Sequence, residues 1–220
     1  MKRIGIMGGT FNPIHNGHLT IAQRAKEQFS LDKVLFMPSG VPYMKNLREV
    51  LPASVRCEMT FLAIRNIPYF ELSDLEALAE ENTYTCHTLQ KLKSLHPDTD
   101  YYFILGADSL YAIEEWRHPE LIFQYCTILA AARAEQADDA SKSLPAQRQL
   151  VKQTQYLREK YHAAIELLEI SNVDISSTQI RTLLSEGKSI RGLVPEAVET
   201  YISENHLYRS KTASKGEATI

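Results

Sequence analysis

The chain begins with MKRIGIMGGTFNPIHNGHL, residues 1–19, which is the segment most informative about the fold. It begins with an apolar run that predicts a short buried strand over residues 4–7. Gly8 and Gly9 follow, and two glycines allow the backbone to turn sharply and to come close to a ligand. Beyond the turn, apolar residues recur from near His18 at the spacing of a helix with one buried face. The stretch therefore predicts a strand, a glycine bend and a helix, in that order.

Two histidines, His15 and His18, lie at or just before the N-terminus of this predicted helix. Residues three apart share a helix face, so both imidazoles face the region where backbone N–H groups are exposed, which suits a phosphate. The alternatives are a structural role as helix caps and a zinc site, which lacks a third ligand at suitable spacing. The glycine pattern matches neither the dinucleotide fingerprint nor the P-loop. We therefore favour phosphate binding over a structural role.

The rest of the chain alternates apolar runs with helical segments. An apolar run over residues 33–38 completes a strand–helix–strand unit, which predicts parallel strands. Further strands are predicted at residues 69–72, 101–105, 126–132 and 165–170. Helices are predicted at residues 52–66, from 83 onward, at 145–161 after a surface loop that begins at 135, at 176–187 and at 194–208. This alternation predicts an α/β fold.

Composition is that of an ordinary globular protein, with 44% apolar and 23% charged residues among 220. This length suits one packed domain, for which we predict residues 1–209, with residues 210–220 as a disordered tail. The net charge of −3 gives no overall basic field of the kind that nucleic-acid binders carry. We therefore predict no nucleic-acid partner, and a homo-oligomer stays open.

The three cysteines, Cys57, Cys86 and Cys126, are odd in number and widely spaced. They are typical of reduced thiols in a cytosolic protein and not of a disulfide framework. The chain also shows no signal peptide and no apolar run long enough to span a membrane. These features predict a cytoplasmic protein with no membrane partner.

A second motif, DISSTQIR at residues 174–181, also predicts an anion site. Ser176 or Ser177 is predicted to cap a helix that ends at Gly187. Hydroxyl groups, the first N–H groups of that helix and Arg181 one turn along can together bind phosphate oxygens. The alternative is an ordinary capped amphipathic helix, which this motif alone does not exclude. The presence of the first motif favours the anion site.

Other candidates follow the predicted strands. Gly106 and Asp108 come directly after a buried strand, where they suit ribose or metal contacts, although Asp108 could instead cap the next helix. Trp116 lies among charged residues, a poor setting for a core position, and its flat indole suits stacking on a pyridine ring. Arg133 lies at the end of the strand predicted over residues 126–132.

Loops and helix ends supply the remaining expectations. Residues 39–50 are turn-rich and polar, and such loops line the binding crevice of a parallel sheet. Arg56 is interpreted as a solvated charge on a helix, slightly preferred over an arm that reaches toward phosphates. The acidic residues 74–81 are interpreted as a solvated loop. Thr83 or Thr85 is predicted to cap the helix that follows.

Residues 8–19, GGTFNPIHNGHL, resemble the GGTF-(D/N)-P-x-H-x-G-H motif of the nucleotidylyltransferase superfamily, and residues 175–181, ISSTQIR, resemble its I-S-S-T-x-I-R signature. Over its length the chain resembles the bacterial nicotinate-nucleotide adenylyltransferases, enzymes that make deamido-NAD and pyrophosphate from nicotinate mononucleotide and ATP in NAD biosynthesis. The resemblance implies a Rossmann-like fold with a mostly parallel central sheet, helices on both faces and a small C-terminal helical part.

The resemblance also implies a set of site residues. ATP would be bound by Gly8, Gly9, Thr10, Phe11, His15, His18, Gly106, Asp108, Ser177, Thr178 and Arg181. Nicotinate mononucleotide would be bound by Lys45, Tyr84, Thr85, Trp116 and Arg133. His15, His18 and Arg181 would be the catalytic residues. Mg²⁺ would be carried by the ATP phosphates, and no metal site built from protein side chains is expected.

One position departs from the resemblance, because Met44 stands where a histidine is common in the loop that contains Lys45. Other activities also stay open at this point. They are adenylyl transfer to nicotinamide mononucleotide or phosphopantetheine, cytidylyl transfer to a small alcohol phosphate, and a catalytically silent nucleotide sensor. The length of the chain, Trp116 and the Tyr84–Thr85 segment favour nicotinate mononucleotide as the acceptor.

Overall fold

The structure is a computed structural model, which describes residues 1–40, 50–79, 82–131, 140–170 and 175–209, with the backbone alone for residues 140–147. The predicted tail at residues 210–220 lies outside these ranges. Cys57, Cys86 and Cys126 are all free thiols. In the described ranges, no helix combines the length and the apolar character that crossing a membrane requires.

Six parallel strands form one sheet in the order β3-β2-β1-β4-β5-β6. The strands are β1 (Lys2–Gly9), β2 (Lys33–Pro38), β3 (Phe70–Leu72), β4 (Thr99–Gly106), β5 (Thr127–Ala131) and β6 (Ile165–Leu168). The chain starts at β1, adds β2 and β3 on one side, and then crosses over to add β4, β5 and β6 on the other. The order therefore reverses between β1 and β4, and ligands of open parallel sheets bind at the carboxyl ends of strands at such a point.

Eight helices of the described residues connect and cover the strands. They are α1 (Asn16–Gln28), α2 (Ala53–Ile64), α3 (Thr85–Leu95), α4 (Ala107–Tyr111), α5 (Pro119–Tyr125), α6 (Ala140–Tyr161), α7 (Ser177–Ser185) and α8 (Glu196–Glu204), with a short 3-10 turn at Ile113–Glu115. α6 begins five residues before the predicted start at 145. α8 ends four residues before the predicted end at 208, because His206 and Tyr208 adopt left-handed backbone angles that no helix continues through.

Strand residues alternate between two hydrophobic cores, one on each face of the sheet. In β1, Ile4 and Ile6 face the core that is covered by α3, α4, α5 and α6. Met7 faces the opposite core, which is covered by α1, α2, α7 and α8. Burying an isoleucine such as Ile6 stabilises the fold by roughly 1.5–3 kcal/mol. The prediction of a Rossmann-like α/β fold with helices on both faces is confirmed, and the sheet is entirely parallel.

Candidate functional site

The glycine bend, residues 8–10, lies at the carboxyl end of β1, where two aromatic rings pack against the backbone. Gly8 and Gly9 still pair with β2 as the last residues of the strand, so the sharp turn predicted at the glycines is wrong, and the chain turns after them. A Cβ atom on Gly8 would lie 3.1 Å from Cζ of Phe103, and one on Gly9 would lie 3.0 Å from Cε1 of Phe11. Phe11 has a φ of 48°, and its side chain is buried beside the bend. Any larger residue at these two positions would have to displace an aromatic ring. The packing of these two rings therefore favours glycine at both positions.

The two histidines of the first motif are stacked at the start of α1. His15 precedes the helix and is 5% exposed, whereas His18 is half-buried in the first turn. Their ring centroids lie 3.7 Å apart at an interplanar angle of 27°, and the ring of Phe11 meets that of His18 edge to face at 5.0 Å. Both imidazoles are thus held at one end of the helix, as the three-residue spacing predicts.

One hydrogen bond determines which nitrogen of His18 can donate. The backbone N–H of His15 donates to Nδ1 of His18 at 3.3 Å. A neutral imidazole carries one proton, and a ring whose Nδ1 accepts must carry it on Nε2. Nε2 of His18 is therefore a hydrogen-bond donor, which is the role that binding a phosphate oxygen requires.

The second motif lies against the first, although the two are far apart in the chain. Ser176 caps α7, since its hydroxyl accepts from the backbone N–H of Gln179 at 3.1 Å. Ser177 is the first residue of that helix, and its hydroxyl donates to the carbonyl oxygen of Pro13 at 2.8 Å. The first N–H groups of any helix have no partner within the helix. The backbone at the start of α7 is thus placed to contact an anion while Ser177 joins the two motifs.

Arg181 makes the second link between the motifs. Its Nη1 donates to the carbonyl oxygen of Asn12 at 3.0 Å, and its Nη2 lies 3.4 Å from Oγ1 of Thr178. The guanidinium is half-buried and always charged. A permanent positive charge therefore lies beside the loop that leads from the glycine bend to the two histidines, as the sequence predicts.

Arg56 differs from both interpretations made from the sequence. It is 1% exposed, so it is not a solvated helix charge. Its guanidinium donates to four backbone carbonyls, those of Leu51, Thr10, Ser39 and Gly40, at 2.6–2.9 Å. It holds the loop after β1 against the loop after β2 and does not reach toward phosphates. Burial lowers the pKa of Arg56, and the four carbonyl dipoles stabilise its charge.

Aromatic residues and a helix N-terminus form the other end of the site. Tyr84 occupies the N-cap position of α3, and Thr85 is the first residue of the helix. No side-chain hydrogen bond caps this end of the helix, so the predicted cap by Thr83 or Thr85 is wrong. The Arg117 guanidinium lies over the Tyr84 ring at 4.7 Å, and the exposed His87 meets the same ring edge to face. The first turn of α3 therefore presents its N–H groups beside a cation.

Trp116 is half-buried at the end of the 3-10 turn. Its ring centroid lies 6.2 Å from that of Phe103 in an edge-to-face arrangement. Phe103 is also the residue that packs against Gly8, so this one buried ring contacts both the glycine bend and the tryptophan. Phe103 was not predicted to lie near the site, because an aromatic residue in the middle of an apolar strand is typical of a core position.

Gly106 and Asp108 lie on the same edge of the sheet, where Gly106 is the last residue of β4 and Asp108 follows it. Both are exposed, and Asp108 is in the first turn of the five-residue helix α4. Gly106, not Asp108, occupies the N-cap position, so Asp108 does not cap the helix. The structure does not describe Lys45 and Arg133, which were predicted to bind nicotinate mononucleotide.

Glu76 does not fit the prediction that residues 74–81 form a solvated loop. It is half-buried, and the Thr88 hydroxyl donates to its Oε1 at 2.8 Å. Burial raises the pKa of this carboxyl group, and the hydrogen bonds from Thr88 and Thr83 offset part of that effect. The side chain therefore joins the turn after β3 to the first turns of α3. An acidic stretch alone gives no indication that one of its members is buried.

These features together are those of a Rossmann-like α/β protein of the nucleotide-binding class. The model of the cytidylyltransferase-like family matches residues 6–183, which is more than half of the chain. The chain therefore belongs to this family.

Similar proteins narrow the class further. A protein of Lachnoclostridium phytofermentans named probable nicotinate-nucleotide adenylyltransferase is 43% identical over 208 residues, which cover 94% of this chain and all of that protein. One of Geotalea daltonii with the same name is 40% identical over 94% of this chain and 98% of its own length. These identities place the chain among the nicotinate-nucleotide adenylyltransferases, which are nucleotidyltransferases, and the resemblance seen in the sequence is confirmed.

Solved structures agree on the fold. Plasmodium falciparum nicotinic acid mononucleotide adenylyltransferase complexed with NaAD has a TM-score of 0.75 and is 22% identical, covering 94% of this chain and 98% of its own. The same enzyme complexed with APC has a TM-score of 0.71. At this identity the likeness supports the architecture of the sheet and its helices.

Proposed function

We propose that the protein transfers the adenylyl group of ATP to nicotinate mononucleotide, which yields deamido-NAD and pyrophosphate. The observation that carries the proposal is the convergence of the stacked His15–His18 pair and Arg181 on one loop at the end of β1. Two hydrogen bonds between the motifs, from Ser177 and from Arg181, keep these groups together. The similarity to proteins named nicotinate-nucleotide adenylyltransferase over nearly the whole chain supports the choice of substrates.

In this proposal the triphosphate lies across the glycine bend. The backbone from Gly8 to Phe11 and the start of α7 would contact phosphate oxygens, with Ser177 and Thr178 near the β- and γ-phosphates. Gly106 and Asp108 would contact the nucleoside from the neighbouring strand. Mg²⁺ would arrive on the phosphates as part of the substrate, where it neutralises their charge.

The reaction needs positioning and charge stabilisation and no covalent intermediate. A 5′-phosphate oxygen of nicotinate mononucleotide attacks the α-phosphorus of ATP, a new P–O bond forms, and the bond to the bridging oxygen breaks. Pyrophosphate leaves with that electron pair. His18, through Nε2, and His15 would donate hydrogen bonds to phosphate oxygens as the negative charge grows, and Arg181 would stabilise the leaving pyrophosphate.

The acceptor would bind at the aromatic end. Trp116 would stack on the pyridine ring, and the N–H groups at the start of α3, next to Thr85, would bind the nicotinate carboxylate. The Arg117 guanidinium over Tyr84 adds positive charge to this end. A negative carboxylate is favoured there over a neutral amide, so nicotinate mononucleotide should be preferred to its amide. Lys45 and Arg133 remain proposed acceptor contacts by resemblance.

A panel of acceptors tests the proposal. Pyrophosphate release from MgATP would be measured with nicotinate mononucleotide, nicotinamide mononucleotide and phosphopantetheine, each over a range of concentrations. We expect the highest kcat/KM with nicotinate mononucleotide and a lower value with its amide. A higher value with phosphopantetheine would overturn the assignment of the acceptor, and no release with any acceptor would favour a nucleotide sensor. We propose a cytoplasmic location, which the three free thiols support.

A further inference from the structure

The C-terminal end of the described chain returns to the catalytic loop. After α8 ends at Glu204, residues 205–208 turn instead of continuing the helix, with φ of 52° at His206 and 61° at Tyr208. The turn brings the hydroxyl of Tyr208 to Asn12, where it donates to Oδ1 at 2.8 Å. A tyrosine 196 residues away in sequence thus contacts the first motif.

Asn12 is the point at which several parts of the fold meet. Its Oδ1 accepts from Tyr208 and also from the backbone N–H of Leu51 at 3.2 Å. Its carbonyl oxygen accepts from Arg181 at 3.0 Å. Asn12 is 4% exposed and lies three residues before His15. Tyr208 and Leu51 therefore hold the side chain of Asn12, and a shift of this residue would move the backbone carbonyl that accepts from Arg181.

The surroundings of Tyr208 favour its role as a donor. The phenol lies near the guanidinium groups of Arg56 and Arg181. Burial raises the pKa of Tyr208, and this effect is larger than the opposing effect of the two cations. The hydroxyl is therefore protonated at neutral pH, as an ordinary phenol is, and it donates a hydrogen bond to Oδ1 of Asn12.

We propose that Tyr208 is a positioning residue for adenylyl transfer: its hydroxyl orients Asn12 so that Arg181 and the two histidines face the same phosphates. The proposal rests on the proposed function and extends the site to the last turn of the described chain. Tyr208 would act through Asn12 and Arg181 and not by touching the substrate.

Tyr208→Phe removes only the hydroxyl and keeps the packing of the ring. Loss of one hydrogen bond to a side chain that positions the catalytic groups should lower kcat with MgATP and nicotinate mononucleotide by about ten-fold. The KM for nicotinate mononucleotide should stay unchanged, since its ring would bind at the other end of the site. A general loss of structure would also lower the apparent kcat, by reducing the folded fraction, and it would be recognised by a thermal midpoint close to the assay temperature.

Tyr69→Phe is the matched control. The hydroxyl of Tyr69 donates to Oε1 of Gln23 at 2.5 Å, so this variant also loses one tyrosine-to-amide hydrogen bond, but between the residue that precedes β3 and α1. The two variants should lose similar thermal stability, and only Tyr208→Phe should lose turnover. Equal turnover in both variants would overturn the proposal.

A double-mutant cycle with Asn12→Ala tests whether the effect passes through Asn12. If it does, adding Tyr208→Phe to Asn12→Ala should lower kcat no further, whereas independent effects would multiply. Multiplying effects would overturn the proposal. Wild-type turnover is measured first, and its absence with every acceptor would count against the proposed function and not against this positioning role. In that case the same cycle is measured on the dissociation constant of MgATP.

Discussion

The two ends of the site are held by different interactions. At the phosphate end, the loop from the glycine bend to His15 is joined by hydrogen bonds to α2, α7 and the C-terminal turn, through Arg56, Arg181 and Tyr208. At the proposed acceptor end, Tyr84 and Trp116 are half-buried and are in ring contact with Arg117 and Phe103.

The difference follows from the chemistry assigned to each end. Stabilising charge in a transition state requires donors that are already fixed, because any reorganisation raises the barrier. Stacking on a flat ring has a broad geometric tolerance and contributes less energy. The phosphate end is therefore built from directional hydrogen bonds among buried and half-buried groups, and the proposed acceptor end from half-buried rings. Four substitutions test this difference between the two ends of the site.

His18→Ala should have the largest effect. Removing one preorganised donor costs about 3–4 kcal/mol of barrier, so we expect kcat to fall by about a hundred- to a thousand-fold. The thermal midpoint should change little, because His18 is half-buried at the start of α1. Pyrophosphate release and a thermal melt measure the two quantities. Turnover close to that of the wild type would remove His18 from the mechanism.

Arg56→Lys should mainly lower stability. The lysine keeps the charge but cannot reach four carbonyls, and leaving buried acceptors unpaired costs about 2–3 kcal/mol of the free energy of unfolding. Denaturant unfolding measures this loss in the free energy of unfolding. Arg65→Lys at the exposed end of α2 is the control and should be neutral. Equal stability of both variants would show that Arg56 does not join the two loops.

Trp116→Ala should affect only the acceptor end. Loss of the proposed stacking should raise the KM for nicotinate mononucleotide by about ten-fold and leave the KM for ATP unchanged. Trp116→Phe keeps an aromatic face and should recover most of the loss. Initial rates measured with each substrate in turn separate the two constants. A rise in the KM for ATP as large as that for the acceptor would contradict the division of the site into two ends.

Glu76→Gln should have the smallest effect, and it depends on pH. Burial raises the pKa of Glu76 in the folded state, so the folded protein holds this proton more tightly than the unfolded chain. Stability from this group is present at low pH and is lost as the pH rises from 4.5 through the raised pKa. The thermal midpoint of Glu76→Gln should therefore gain on the wild type as the pH rises across that window.

Glu58→Gln on the exposed side of α2 is the control for this measurement. Its midpoint should follow that of the wild type at every pH. If Glu76→Gln also follows the wild type, then the carboxyl group is not desolvated by its place between the turn after β3 and α3.

Much of the fold follows from local sequence, as β1 and α7 illustrate. The apolar run of β1 predicts a buried strand, which is observed, but the turn predicted at Gly8 and Gly9 is not, because both glycines still pair with β2 and the chain turns only after them. Ser176 predicts a helix cap, and it is one. Arg56 and Glu76 were misjudged for one reason. A charged residue in a helix or an acidic turn is usually solvated, and only the packing of other elements around it shows otherwise.

Local sequence predicted the mostly parallel α/β architecture, the two motifs and the family, because hydrophobic periodicity and helix caps are properties of neighbouring residues. Only the packed fold shows which groups share the site. Arg181 meets Asn12 across 169 residues and Tyr208 meets it across 196, while Phe103 lies beneath both ends. Such contacts depend on how the strands order themselves in the sheet and where the C-terminal turn returns, and no local pattern encodes either.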